Sequence, residues 1–182
     1  MCIRDRHGMS KDGWKRFRTS GKWAYDVSEL GYKYNMTDVA ACFGLEPLQH
    51  VQSWHGCRVE IVKCYQNGLR NIQGLVLPDQ DDQLTHAWQL FIIQLKPAKW
   101  QISRNTLIEK LNKAGIGTSV HYIAVHMHSH YAGKYGWQPR DFPMAQQLSK
   151  TVISLPIYPA LKDHEGTYII DHIQRLWGQY SI

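Results

Sequence analysis

A turn rich in hydrogen-bond donors precedes the strongest helix signal of the sequence. Residues 31–39 read GYKYNMTDV, where Lys33 and Asn35 stand just before a helix that Thr37 would cap. The first N–H groups of a helix are unpaired and its dipole favours an anion, so an ammonium and an amide beside them could complete a phosphate site. A polar turn whose tyrosines pack on the core explains the same residues equally well.

A second group of polar side chains is the histidine-rich stretch VHYIAVHMHSH. In a strand, one face would carry His126, His128 and His130, yet no Cys, Asp or Glu accompanies them, and we predict no metal site. His121 ends a predicted strand beside Tyr122, a position where binding sites commonly lie. A neutral imidazole there could orient a polar substrate.

The segment THAWQLF supplies a third pair of ring side chains. His86 and Trp88 alternate with Ala87 in a predicted strand, so both side chains would point to one face. They could form a stacking platform for a ring-shaped ligand. A half-buried strand with an ordinary tryptophan is the simpler interpretation.

The elements that position these residues change character near residue 74. An apolar helical period runs from Thr37 to residue 73, and Pro47 should kink or split that helix. Beyond it, strand and helix signals alternate, which predicts a small α/β layer with helices against a sheet. The strand or extended segments are LVLP, HAWQLFIIQL, IGTSVHY and ISLPIYP, and the helices are SRNTLIEKLNKAG, FPMAQQLSKTV and DHEGTYIIDHIQRLWGQY.

Composition excludes several classes of protein. With 43% apolar and 20% charged residues among 182, the chain has the composition of a globular domain and not of a disordered one. The net charge of +6 is concentrated in KDGWKRFRTSGK, but no nucleic-acid-binding signature accompanies it. Apolar runs are too short to span a bilayer, and four cysteines without a CxxC pair suit a reducing compartment. We therefore predict a cytoplasmic protein without a nucleic-acid or membrane partner.

Five motifs carry a resemblance to a known family. They are HGMSKDGWKR, GYKYNMTDVAACFGL, LPDQDDQLTHAWQLFIIQL, ISRNTLIEKLNKAGIGTSVHYIAVHMHSHY and SLPIYPALKD. In this order they resemble the DegT/DnrJ/StrS-type aminotransferases, which act on nucleotide-linked keto-sugars with pyridoxal 5'-phosphate. Within the family, the sequence is most similar to the UDP-4-amino-4-deoxy-L-arabinose–oxoglutarate aminotransferase branch, which serves lipid A modification.

The resemblance implies a fold and a division of the chain. The fold would be the C-terminal portion of a fold-type-I pyridoxal-phosphate-dependent aminotransferase, an α/β structure with a long linking helix and a small domain. Residues 1–36 would end the large domain and form an interface loop, residues 37–73 the interdomain helix, and residues 74–182 the small α/β domain. Residues 1–6, MCIRDR, depart from the family, and we expect them to be non-native.

The resemblance also implies the site residues and partners. The lysine that binds the cofactor covalently would lie upstream of HGMS, so no catalytic residue is expected in this chain, which alone should be inactive. In the homodimer, the turn would contact the neighbouring subunit's cofactor phosphate through Lys33, Asn35 or both. An amino-acid donor, glutamate in the family, and a nucleotide-linked keto-sugar would be the substrates. The sugar-nucleotide site would be bordered by His121 and Tyr122, with His86 and Trp88 as further substrate-binding residues.

A different class of function remains open for the same residues. The chain could be a non-catalytic sugar-nucleotide-binding or regulatory module of the same fold. Such a module should cover its apolar surface, whereas part of a larger enzyme should expose it. Under the second hypothesis, we expect exposure of Trp14, Trp23, Phe43 and Trp54.

Overall fold

The computed structural model describes residues 7–8, 26–34, 36–79 and 84–182. The chain forms two compact units, Met1–His50 and Val51–Ile182. Their boundary falls inside a 32-residue helix, α1 (Asp38–Leu69). The second half of α1 thus belongs to the same unit as the sheet.

Helix α1 begins where the sequence predicts. The Thr37 hydroxyl accepts a hydrogen bond from the Ala40 N–H at 3.2 Å, and Asp38 occupies the first turn. Pro47 lies inside the helix without splitting it. A proline removes one backbone hydrogen bond, and the bonds of the flanking turns keep the helix continuous.

The second unit contains a three-stranded antiparallel sheet. Its strands are β1 (Leu75–Val76), β2 (Phe91–Leu95) and β3 (Val152–Leu155), in the spatial order β1-β2-β3. Phe91 pairs with Leu155 at one end of the β2–β3 ladder, and Gln94 pairs with Val152 at the other.

Two predicted strands that carry candidate site residues are shorter than the sequence suggested. HAWQLFIIQL forms a strand only from Phe91, because the Trp88 N–H donates to the side chain of His86 and Trp88 has a φ of +47°, which turns the backbone out of the ladder. IGTSVHY forms only a single antiparallel bridge, between Ser119 and Ser154. Both corrections concern segments that carry predicted site residues.

Four further helices lie in the described part of the second unit. Local signals place three of them as predicted: Ser103 caps α2 (Arg104–Lys113), a proline begins α4 (Pro143–Thr151), and an apolar stripe defines α5 (Asp163–Tyr180). Helix α3 (Ser129–Tyr135) lies in the histidine-rich stretch and was not predicted. Short 3-10 turns occupy Pro97–Lys99, Val125–Met127 and Pro139–Asp141.

The core of the second unit is built from the end of α1, the sheet, α2 and α5. Two buried polar contacts fix it. The Tyr65 hydroxyl on α1 donates to the Pro156 carbonyl at 2.8 Å, and the Trp100 indole N–H donates to the Gly74 carbonyl at 2.8 Å. In the described part of the chain, no helix is both long and apolar enough to cross a membrane.

Candidate functional site

The turn before α1 presents a lysine on an exposed extended segment. The rings of Tyr32 and Tyr34 stack at 5.2 Å between centroids and 11° between planes. Alternate residues of an extended segment face opposite sides, so the Lys33 side chain lies on the side away from the ring pair. Lys33 is exposed and forms no ion pair with any described residue. No carboxylate of the described residues lies within ion-pair distance of its ammonium group.

The backbone around the turn is fixed by residues 7 and 8. The His7 N–H donates to the Tyr32 carbonyl at 3.0 Å, and the Ser28 N–H donates to the Gly8 carbonyl at 3.0 Å. Gly8 has a φ of +74°, and a Cβ there would collide with the Glu29 carbonyl oxygen. Only glycine allows this crossing, which holds the segment carrying Lys33 in place.

The positive charge of the described turn comes from Lys33. At the start of α1, the Thr37 side chain occupies the Ala40 N–H, and Asp38 adds a negative charge that opposes an anion at the helix end. The lysine ammonium is therefore the principal positive group of the described turn. Asn35, the second predicted phosphate contact, lies outside the described residues.

His121 is held by strand β3. Its Nδ1 lies 2.7 Å from the Ser154 hydroxyl oxygen, and Ser154 is buried. The Ser119 bridge fixes the same strand position through two backbone hydrogen bonds, of 2.8 and 3.2 Å. Tyr122 packs edge-on against His121 at 4.8 Å and leaves 74% of its surface exposed. The pair therefore combines an oriented imidazole with an open aromatic face.

His86 and Trp88 form a different arrangement from the one predicted. Trp88 is 1% exposed and packs against Phe91, so its own ring faces the protein interior. The exposed His86 ring lies 4.1 Å from the Trp88 ring. The Trp88 N–H donates to His86 Nδ1 at 2.9 Å, and His55 Nε2 contacts the His86 carbonyl at 2.8 Å. A substrate could reach His86 here but not the Trp88 ring.

The four predicted substrate-binding residues fall into two clusters. His86 and Trp88 contact each other, His55 and Phe91, while His121 and Tyr122 contact each other and Ser154. The sequence did not indicate His55, which lies on α1, 31 residues before His86. No local pattern could reveal a contact at that separation.

Of the other histidines in the rich stretch, His126 serves packing, whereas His128 and His130 are exposed. His126 is buried, its Nε2 lies 3.1 Å from the Gln146 amide oxygen, and its ring stacks on Phe142 at 5.0 Å. A 3-10 turn and α3 replace the strand that would have aligned these histidines on one face. Within the described ranges, no group of three or more metal-ligating side chains could hold a metal ion.

A cleft that the sequence did not suggest lies beside α5. It has a volume of about 510 Å³, and its buried floor includes Ile116 and Ile169. Tyr158 and Tyr168 stand exposed at its rim, and a Cβ on Gly117 would point into open space. In the sequence, this cleft is marked only by the two glycines of GIGT, and two glycines alone do not predict a cavity.

Large apolar side chains are exposed along the turn and the first half of α1. Phe43 is 79% exposed and Trp54 38%, as expected for part of a larger enzyme, while Trp14 and Trp23 lie outside the described residues. Leu30 is 97% exposed. Surfaces of this kind are covered in working proteins by another chain or segment.

Comparison with known proteins identifies the family. The model of the DegT/DnrJ/EryC1/StrS aminotransferase family matches residues 1–174. The spore coat polysaccharide biosynthesis protein SpsC of Bacillus subtilis is 38% identical over 169 residues, which are 92% of this chain and 43% of SpsC. The uncharacterized protein MJ1066 of Methanocaldococcus jannaschii is 38% identical over 170 residues, 93% of this chain and 44% of MJ1066.

Solved structures share the α/β fold. The putative sugar aminotransferase Spr1654 from Streptococcus pneumoniae, in its PMP-form, is 29% identical with a TM-score of 0.80 over 97% of this chain and 44% of that one. The same protein in its PLP-form gives a TM-score of 0.79 at 28% identity, over 97% of this chain and 42% of that one. The chain thus spans less than half the length of the relatives it matches. It belongs to the DegT/DnrJ/EryC1/StrS aminotransferase family.

Proposed function

We propose that this chain is part of a pyridoxal-phosphate-dependent transaminase that moves an amino group from glutamate to a nucleotide-linked keto-sugar. The family match over residues 1–174 is the observation that carries this function. SpsC, a spore coat polysaccharide biosynthesis protein, and Spr1654, a putative sugar aminotransferase, support a sugar substrate. The product would serve a cell-surface polysaccharide or a lipid A sugar, made in the cytoplasm. The lipid A branch rests on sequence resemblance alone.

Lys33 would hold the phosphate of the cofactor. The supporting observations are its exposure, the absence of an ion-pair partner among the described residues, and the anchored backbone on either side of it. Asn35 is the second proposed contact. When bound, pyridoxal phosphate supplies an electron sink that makes the proton on Cα of an amino acid removable. The protein would bind the cofactor and the two substrates with their reacting atoms close together and would exclude water from the site.

The sugar nucleotide would meet the two histidine clusters. His121, whose imidazole is fixed by Ser154, is suited to orient a hydroxyl or phosphate oxygen, and the exposed ring of Tyr122 to pack against a sugar or base. His86 would provide a further polar contact, and the Trp88 ring would hold the His86 ring in place by packing against it.

The site would be completed across a homodimer. The exposed apolar side chains of the turn and α1, including Leu30 and Phe43, favour burial against other protein surface and disfavour a stand-alone binding module. We place the lysine that holds the cofactor covalently in sequence outside this chain. The chain by itself would then show no transaminase activity.

A lysine substitution tests the cofactor assignment. In a protein of the relatives' length that contains this sequence, Lys33→Ala should weaken pyridoxal phosphate binding by about tenfold to a hundredfold, because it removes a charge-assisted hydrogen bond. Binding is measured by the absorbance of the bound cofactor during titration. Lys99→Ala, which removes an exposed positive charge elsewhere in the chain, is the matched control. Equal affinities for the two variants would refute the role of Lys33.

A further inference from the structure

The hydrogen bonds of His55 and His86 determine which nitrogen of each ring carries a proton. A backbone carbonyl can only accept, so His55 Nε2, 2.8 Å from the His86 carbonyl oxygen, must carry a hydrogen. His55 is half-buried on α1. Its ring therefore acts as a donor that ties the segment before β2 to the helix.

His86 is fixed in the same way by its own neighbour. The Trp88 N–H donates to His86 Nδ1 at 2.9 Å, so Nδ1 must offer its lone pair. In the neutral ring the proton then sits on Nε2. The side chain is exposed, and Nε2 has no partner in the described part of the chain. The structure thus presents an N–H donor, and not an acceptor, at this position.

Three contacts fix the orientation of the His86 Nε2–H donor. His55 holds the His86 carbonyl, the Trp88 N–H holds Nδ1, and the Trp88 ring lies against the imidazole at 4.1 Å. Trp88 is itself buried and packs on Phe91 of β2. A donor held in one orientation loses little conformational entropy when a ligand binds.

We propose that His55 is a positioning residue that aims the Nε2–H of His86 at an acceptor oxygen of the sugar nucleotide. This rests on the proposed function, in which His86 borders that substrate. His55 does not touch the substrate. It acts by holding the backbone of His86. Its loss should loosen that backbone and weaken the bond from the Trp88 N–H to Nδ1, so that the imidazole can rotate and change tautomer.

Nuclear magnetic resonance of a protein of the relatives' length that contains this sequence tests the geometry without any substrate. In chain labelled with ¹⁵N-histidine, two-bond N–H couplings report the tautomer of each neutral ring. We expect the Nε2–H tautomer for both His55 and His86. In His55→Ala, the His86 signals should become those of a tautomer mixture, and His55→Gln, whose amide can donate to the same carbonyl, should restore them. An Nδ1–H tautomer for His86 in the unsubstituted chain would overturn the inference.

Steady-state kinetics of a protein of the relatives' length tests the functional part. With UDP- and dTDP-linked 4-keto-sugars and glutamate, His55→Ala should raise the KM for the keto-sugar about fivefold with kcat within twofold, since one neutral hydrogen bond is lost from binding. His55→Gln should restore the KM, and the exposed His164→Ala should leave it unchanged.

The two experiments separate the failure of this inference from that of the proposed function. An active enzyme whose KM is unchanged by His55→Ala overturns the positioning role alone. A wild-type enzyme that aminates none of these sugars overturns the proposed function and, with it, the assignment of a sugar-nucleotide oxygen to His86.

Discussion

The contact between Gly74, Trp100 and Trp177 gives the sharpest prediction about the domain that carries the histidine clusters. The Trp100 ring is buried, packs edge-on against Trp177 at 5.0 Å and donates its N–H to the Gly74 carbonyl. A Cβ on Gly74 would overlap the Trp177 ring and the Trp100 indole nitrogen. Gly74→Ala must therefore displace one or both rings.

The cost of Gly74→Ala follows from two terms. Forcing an extra carbon into a packed core costs about 1–3 kcal/mol. Moving Trp100 also weakens its hydrogen bond to the Gly74 carbonyl, worth about 1 kcal/mol, although the Lys96 N–H still satisfies that oxygen at 2.8 Å. The free energy of unfolding should thus fall by about 2–4 kcal/mol. With a urea dependence of about 2 kcal/mol per molar, the unfolding midpoint should fall by about 1–2 M.

A second glycine supplies the control for the same chemical change. Gly178 lies within α5, and a Cβ there would meet no atom within 4 Å. Gly178→Ala should raise the unfolding free energy by about 0.5 kcal/mol, because alanine favours a helix over glycine. Both variants are followed by tryptophan fluorescence in urea. A midpoint for Gly74→Ala within about 0.2 M of wild type would refute the packing of Trp100 and Trp177 on Gly74.

Two further substitutions test the hydrogen bond of Tyr65 and the helix cap of Ser103. Tyr65→Phe removes the donor to the Pro156 carbonyl and should lower the unfolding free energy by about 1–2 kcal/mol in urea denaturation. Burial, and to a lesser degree Cys64 and Tyr158, raises the pKa of Tyr65. The unfolded chain therefore releases this proton first, and wild-type stability should fall as pH rises above the ordinary tyrosine pKa of 10.0, more steeply than that of Tyr65→Phe. Ser103→Ala should cost about 1 kcal/mol, because an N–H of the first turn of α2 loses its acceptor, and an unchanged urea midpoint would contradict that assignment.

Local signals in the sequence were sufficient for α2, α4 and α5, but not for α3. The Ser103 hydroxyl accepts from the Thr106 N–H, and Gly115, with a φ of +76°, follows the end of α2 as expected. Pro143 begins α4, since its missing N–H costs nothing at the first helical position. These features act over a few residues, and a reader of the sequence can see all of them.

Contacts distant in the sequence could not be predicted in the same way. The extent of β2 depends on which of its residues find a partner in β3, about 60 positions further along the chain. The role of His55 depends on a contact with a residue 31 positions away. Residue types were therefore enough to propose candidate site residues, while their partners and their division into two clusters required the structure.

Transfer of labelled nitrogen is the most direct test of the proposed activity. A protein of the relatives' length that contains this sequence would be incubated with pyridoxal phosphate, ¹⁵N-glutamate and a UDP- or dTDP-linked 4-keto-sugar. Mass spectrometry should then detect the ¹⁵N label in the sugar of the nucleotide product, with 2-oxoglutarate formed in equal amount. A folded protein that binds the cofactor but leaves every such keto-sugar unlabelled would contradict the proposal that this chain serves sugar amination.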